Sequence, residues 1–288
     1  MTLAEARRLG LQQLQTAGLP DTTRATDVEH LLCWALERSS TWLRTWPEHE
    51  LSATEQQRLD SALQRRAGGE PVAHITGHRG FWSLDLETDA STLIPRPDTE
   101  TLVEAVLEEV PARPLTLTDL GTGTGAIALA LARERPQWTV QGTDRSLAAV
   151  QLATRNARRN ELTRVQFLCS DWCAALAPHS QDVLVSNPPY IRADDPHLQQ
   201  GDLRFEPASA LVAEEDGLAD LKRIAQQGRA VLRAGGWLFL EHGYDQADDV
   251  ALLLIDAGYE QLQRRRDLGG HVRVTWGRRP QRITVNPA

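Results

Sequence analysis

Cysteine and lysine are nearly missing from this 288-residue chain. Cys33, Cys169 and Cys173 are odd in number and have no framework spacing. That excludes a disulfide-stapled scaffold and points to free thiols in a reducing compartment. Lys222 is the only lysine, and the arginines that replace it elsewhere read as composition bias without functional content. Positive charge is short overall, with a formal net charge of −8. A protein built mainly to grip a phosphate backbone needs the opposite balance, so no direct nucleic-acid partner is expected. No apolar run approaches the ~18 to 20 residues needed to cross a bilayer, so no membrane is expected either. Met1 to Arg8 lack the charged, apolar and small-residue order of a signal peptide, which leaves a cytoplasmic location as the expectation. There is no internal repeat and no low-complexity tract.

What is present divides into three stretches. Residues 1–73 read as a helical domain. Thr2-Leu3-Ala4-Glu5 and Ser52-Ala53-Thr54-Glu55 are capping-box patterns, and Val28, Leu31, Leu32, Ala35 and Leu36 share one helical face. Trp34, Trp42 and Trp46 sit among these helices, either as packing or as a docking surface. Gly68-Gly69 marks a helix end and hinge. Residues 74–94 read as a β-hairpin linker, because Phe81 to Glu87 alternate apolar and polar. Residues 95–288 read as the catalytic domain. From Leu115 onward strands and helices alternate, which predicts an α/β fold with a mostly parallel sheet and helices on both faces. Tyr259 to Arg265 and Val272 to Trp276 predict a closing antiparallel pair, and Arg278 to Ala288 a loose polar tail. Ile191 to Ser209 predicts a long loop.

Two loops stand out. Gly121-Thr122-Gly123-Thr124-Gly125 follows an apolar strand ending in Asp119 and opens a helix, so its backbone can approach a ligand closely. Gly121, Gly123 and Ala126, with Asp144 further on, also satisfy the dinucleotide-binding pattern, which leaves a nicotinamide enzyme open at this point. The second loop is Asn187-Pro188-Pro189-Tyr190. Its prolines lack N–H groups and fix φ, so strand pairing stops there. Read blandly, it is a turn that ends a strand.

Four strands thus deliver, in order, Asp119 with the glycines, Asp144, Asp171-Trp172 and Asn187. That series resembles the Rossmann-like methyltransferases that use S-adenosylmethionine and release S-adenosylhomocysteine. The resemblance implies that Gly121, Thr122, Gly123, Thr124 and Gly125 pass under the methionine part. It also implies that Asp144 holds the ribose hydroxyls and that Asp171 and Trp172 meet the adenine. The residues suit those tasks: a carboxylate accepts two hydrogen bonds from a diol, and an indole offers a flat face to a purine. The alternatives are a helix cap for Asp144 and plain packing for Trp172.

The Asn-Pro-Pro-Tyr corner is similar to that of methyltransferases acting on planar nitrogens. By that resemblance, the Asn187 side-chain oxygen and the Pro188 carbonyl each accept one N–H of the target. Pro189 helps shape the site, Tyr190 packs on the planar group, and Asn187 also borders the cofactor. Such catalysis is positioning and electrostatics. The target is then an exocyclic amine of adenine (N6) or guanine (N2), or a glutamine amide. Further motifs narrow the choice. Leu93-Ile94-Pro95-Arg96-Pro97-Asp98-Thr99-Glu100, Arg204-Phe205-Glu206-Pro207, Glu241-His242-Gly243 and Arg273-Val274-Thr275 resemble the peptide chain release factor glutamine N5-methyltransferases, the PrmC/HemK family. That family implies class 1 release factors as protein substrate, methylated on the glutamine of their Gly-Gly-Gln loop, with the N-terminal helices helping to grip them. Asp98 stands where the family usually has Glu.

Some residues keep two readings. Arg96 between prolines can hold a carboxylate or seat a helix. Glu206 can line the substrate mouth or anchor a loop. Arg264-Arg265-Arg266 can protect a sheet edge or meet an acidic or RNA surface. His74 with His78 and Cys169 with Cys173 share a spacing of four, but no further ligand is placed, so no metal is expected.

Overall fold

The computed structural model describes residues 1–199 and 201–281. They form two compact units, one made of residues 1–78 with 197–205 and the other of the rest.

The helical unit holds α1 (Leu3–Thr16), α2 (Asp21–Leu36), α3 (Ser40–Thr45), α4 (Ala53–Ala67) and α5 (Val72–Thr76). Both capping boxes form. The Thr2 hydroxyl accepts from Glu5 N at 3.3 Å while Glu5 returns a carboxylate to Thr2 N at 2.8 Å, and Ser52 and Glu55 do the same for α4. Leu14, Leu31, Leu32 and Leu59 fill the core. Arg66 is buried with its ion partner. Its Nε donates to Asp27 at 2.8 Å, and its Nη1 donates to Asp202 at 3.1 Å and to the Glu70 carbonyl at 3.1 Å. A buried guanidinium needs every such acceptor, so it fastens the 201–205 turn to the helices of this unit. Trp34 and Trp42 lie under the guanidinium groups of Arg58 and Arg38, at 4.9 and 5.3 Å, whereas Trp46 is half exposed. Gly77 takes φ +74° and ends α5, so His74 is helical and His78 belongs to the following strand. Among the described residues, no group of three or more His, Cys, Asp or Glu is placed to hold a metal ion.

The stretch expected as a linker starts with the end of α5. It continues as the hairpin β1 (His78–Phe81) and β2 (Leu84–Glu87). Phe81, Leu84 and Leu86 are buried in the core of the larger unit, so the hairpin is part of that unit's packing. After it come α6 (Glu100–Glu109), β3 (Thr116–Leu120), α7 (Ala126–Glu134), β4 (Thr139–Asp144), α8 (Leu147–Arg159), β5 (Gln166–Cys169) and β6 (Gln181–Ser186). The long loop is broken by short 3-10 turns and by α9 (Ala208–Leu211) and α10 (Glu214–Gly217). The chain ends with α11 (Ala219–Val231), β7 (Leu232–Glu241), α12 (Ala247–Asp256), β8 (Glu260–Arg266) and β9 (Val272–Arg278).

The seven strands run β5-β4-β3-β6-β7-β9-β8, parallel up to β7 and antiparallel beyond it. Alternate residues of the central strands serve two cores. Val183, Val185 and Phe239 pack with α6 and α7, while Leu184, Leu238 and Leu240 pack with α11 and α12. Burial on both faces is why these strands read as continuous apolar runs. β7 is longer than its apolar segment, because Gly235 at φ +77° carries the strand through a register irregularity. The basic run lies on β8, the sheet edge, where Arg264 pairs with Asp248 at 2.8 Å and Arg265 with Glu104 at 2.8 Å and Glu108 at 2.5 Å. Among the described residues no helix is long and apolar enough to cross a membrane. Of the expected tail, Arg278 closes β9, and residues 282–288 lie outside the described residues.

Candidate functional site

β3 pairs with β4 on one side and β6 on the other, with Leu120 opposite Thr143 and Ser186. Their carboxyl ends therefore finish at one edge, which is where open α/β sheets bind ligands. The glycine loop leaves β3 in a conformation few residues can follow. Gly121 sits at φ +73°, and a Cβ there would lie 2.8 Å from Trp172 Cζ3. Gly121 N and Thr122 N both donate to the Thr143 carbonyl, at 2.8 and 2.9 Å, which turns the loop back over β4. Thr122 Oγ1 donates to Asp119 Oδ2 at 2.6 Å. Asp119 is fully buried, and burial pushes its carboxyl up to about 7. It tethers the loop from beneath.

Asp144 ends β4 and is half-buried. One carboxylate oxygen accepts from Gly123 N at 3.0 Å, and the other from Ser146 N at 2.9 Å. The cap of α8 is Ser146 itself, whose hydroxyl accepts from Ala149 N. Asp144 thus links two loops and keeps free lone pairs for a diol. Trp172 follows β5 at φ +48°, a left-handed conformation that costs free energy in a bulky residue. Its carbonyl accepts from Thr143 Oγ1 at 3.2 Å, and its ring lies beside Gly121. Asp171 is exposed and pairs with Arg223.

At the corner, Asn187 Nδ2 donates to Thr99 Oγ1 at 3.1 Å, and Thr99 Oγ1 donates to Glu241 Oε1 at 3.1 Å. Glu241 is fully buried, and burial, more than any neighbour, pushes its carboxyl up to about 7. Pro188 is buried and Tyr190 half-buried, and burial raises the Tyr190 phenol above its ordinary range. Gln246 Nε2 donates to the Tyr190 carbonyl at 3.2 Å, which fixes the backbone beyond the prolines.

These loops line one open cleft. Gly121 to Thr124, Asp144, Asp171, Trp172, Asn187 and Pro189 all line it. Gly125, Pro188 and Tyr190 are not on its wall: Gly125 caps α7, and the other two sit behind the lip. Arg96 also lines the cleft, but its guanidinium is bound to the buried Glu206 at 2.6 Å. Glu206 in turn accepts from Ile94 N at 2.8 Å, so the pair anchors two loops. Sequence reasoning missed Ser91, Thr92, Thr99, Arg145, Ser209 and Ala210 on the wall, and the bond that ties Thr99 to Glu241. Thr99 and Glu241 lie in motifs that carried the family resemblance, which gave neither of them a role.

Residues 5–77 match the PrmC N-terminal domain, and residues 97–218 match the methyltransferase small domain. The chain is 52% identical over 265 residues to the release factor glutamine methyltransferase of Pseudomonas aeruginosa, covering 92% of this chain and 96% of that protein. It is 48% identical over 271 residues to the protein of the same name from Escherichia coli K12, covering 94% and 96%. Two solved structures share the fold. A methyltransferase from Pyrococcus furiosus matches with a TM-score of 0.54 at 15% identity, covering 77% of this chain and 99% of that one. The Thermus thermophilus 16S rRNA N2 G1207 methyltransferase matches with a TM-score of 0.51 at 22% identity, covering 70% and 49%.

Proposed function

The chain belongs to the release factor glutamine methyltransferase family, and we infer from that membership that it transfers a methyl group from S-adenosylmethionine to the side-chain nitrogen of a release factor glutamine. The acceptor is the glutamine of the Gly-Gly-Gln loop in class 1 release factors, and the enzyme works in the cytoplasm. The observation that carries the reading is relatedness across both units, since the proline corner alone would also suit an exocyclic amine of a base.

The residues fit the cofactor. The cleft holds a carboxylate at the end of β4, an indole face and a backbone without side chains at Gly121 and Gly123, all on one wall. In the proposed assignment Gly121 to Gly125 and the start of α7 take the methionine end, Asp144 the ribose, and Asp171 with Trp172 the adenine. S-adenosylmethionine supplies an electrophilic methyl carbon on a sulfonium.

The chain's own work is to orient the acceptor. An amide nitrogen has a delocalised lone pair and is a poor nucleophile in its ground state. Asn187 Oδ1 and the Pro188 carbonyl each accept one N–H of the glutamine amide, which fixes the nitrogen's direction and draws electron density onto it. Positive charge that develops on the nitrogen strengthens both hydrogen bonds, so they favour the transition state over the ground state. The prolines hold these acceptors without a reorganisation cost. Tyr190, with its phenol kept neutral by burial, backs the corner from behind the lip. No strong base is needed before transfer, because the alkylated nitrogen loses its proton readily.

The test is mass spectrometry of a class 1 release factor after incubation with the protein and S-adenosylmethionine. One added methyl on the Gly-Gly-Gln glutamine is expected. Methylation of RNA or DNA but not of release factor in a parallel incubation would overturn the reading.

A further inference from the structure

Asn187 is useful only one way round. Its carboxamide carries an oxygen that accepts and a nitrogen that donates, and a half-turn about its last bond exchanges them. With the nitrogen facing the cleft, the corner would present donors to an amide that needs acceptors. Something has to hold the correct face outward, and the prolines, which fix only the backbone, do not.

The chain behind Asn187 supplies that selection. Glu241 ends β7 with its side chain buried at the base of the corner. Thr99, in the turn that leads into α6, stands between Glu241 and Asn187, at 3.1 Å from each. A threonine hydroxyl has one proton. An ionised Glu241 can only accept, so Thr99 must give its proton to Glu241 and turn a lone pair toward Asn187. Only the Nδ2 group can donate to that lone pair, and Oδ1 is thereby turned to the cleft. A protonated Glu241 removes the constraint. Its own proton can go to Thr99, whose hydroxyl then donates to Asn187 and favours the flipped carboxamide.

We propose that Glu241 and Thr99 are positioning residues that set the orientation of the Asn187 carboxamide, so that the ionised carboxylate selects the face that accepts the substrate's N–H. This rests on the glutamine-methylation reading for its consequence, but the orientation itself belongs to the free enzyme.

The surroundings make the carboxylate a weakly held one. Burial dominates and pushes Glu241 up to about 7, against the Thr99 hydrogen bond, the attraction of Arg273 and a weaker direct hydrogen bond from the Asn187 side chain, which favours the same carboxamide face. Arg273, from β9, shares its charge with Asp267 at 2.9 Å and Asp98 at 3.5 Å. Asp98, ahead of α6, repels the carboxylate, and Tyr190 and the neighbouring His242 bring no formal charge of their own, since burial favours the neutral form of each. The competent state is therefore present above about pH 7 and lost below it.

Three variants test the relay: Glu241→Gln, Thr99→Val and Thr99→Ser. Turnover of release factor is measured from pH 5.5 to 9 at saturating cofactor, with cofactor affinity by calorimetry as the check on folding. Wild type should lose activity on the acid side with a midpoint near 7. Glu241→Gln and Thr99→Val should fall about 10- to 100-fold in kcat, with cofactor affinity within about twofold, and should lack that acid limb. Thr99→Ser restores the hydroxyl and should regain both rate and acid limb. A second readout needs no substrate. The Asn187 side-chain amide resonances, assigned by their loss in Asn187→Ala, should titrate near pH 7 in wild type and not in Glu241→Gln. Equal rates and unchanged pH profiles in Glu241→Gln, or equal behaviour of Thr99→Val and Thr99→Ser, would overturn the relay. If a variant fails to bind cofactor, the other two and the resonance titration decide. A wild type that titrates as stated but leaves release factor unmethylated would defeat the functional reading and spare the relay.

Discussion

β3 and β6 are neighbours in the sheet, paired in register to their last residues, yet they leave it in opposite ways. β3 runs into glycines at positive φ, and β6 runs into two prolines whose φ is fixed by their rings. In the proposed assignment, the difference follows from what each loop meets. Beneath a bulky ligand the backbone has to come close, so side chains are removed and the loop is tied down from below by Asp119. Around a small planar amide the backbone has to stay still, so φ is locked and the acceptors arrive already aimed. One edge of one sheet thus combines a yielding cradle with a rigid gauge.

Substitutions can separate the two. The largest effect is expected for Asn187→Ala, with turnover down about 100-fold or more and cofactor affinity within about twofold, measured by methyl transfer to release factor and by calorimetry. Loss of cofactor binding in that variant would erase the division of labour. Next comes Asp119→Asn. Folded Asp119 keeps its proton to about pH 7, whereas the unfolded chain releases it near 3.8. The folded form therefore binds more protons across that window, and stability declines as pH rises from about 4 to 7. The amide variant, which still accepts from Thr122, should remove on the order of 2 kcal/mol of that decline, read from denaturant melts at pH 5 and pH 8. Gly121→Ala should mirror the corner mutant: cofactor binds roughly tenfold more weakly, because Cβ meets the Trp172 ring and φ is positive, while turnover at saturating cofactor changes little. Pro189→Ala should be mildest, lowering stability by about 0.4–1 kcal/mol through a freer unfolded chain, with a modest drop in kcat as the corner loosens.

The same contrast governs what the amino-acid sequence discloses. Glycines and prolines announce themselves, because each removes or fixes a backbone freedom at a known place. Gly121, Gly123, Asn187 and Pro189 were legible for that reason, and so was the parallel sheet, from apolar runs such as Val183 to Val185. Capping boxes at Thr2 and Ser52 located α1 and α4. Thr99 and Glu241 were not legible as partners, because their meeting depends on β7 lying beside β6 and on the turn before α6 packing over both. Arg96 with Glu206 was undecidable from the sequence for a like reason: two loops more than a hundred positions apart had to be brought together first. The hairpin's alternation shows which face is buried but not against what, so its packing into the larger core could not be read from it. The unusual backbone at Trp172 has no local sequence sign at all.

One further consequence comes from Arg66 and its grip on Asp202. The helical unit is made from two separate lengths of chain, the second a short excursion that starts and ends in the sheet unit. Such a layout resists modular exchange. A gene fragment that ends after residue 78 would leave Arg66 short of one of its acceptors, and a chain that starts there would carry the excursion without its seat. Swapping residues 1–78 onto another sheet is therefore expected to need a matching 201–205 segment as well.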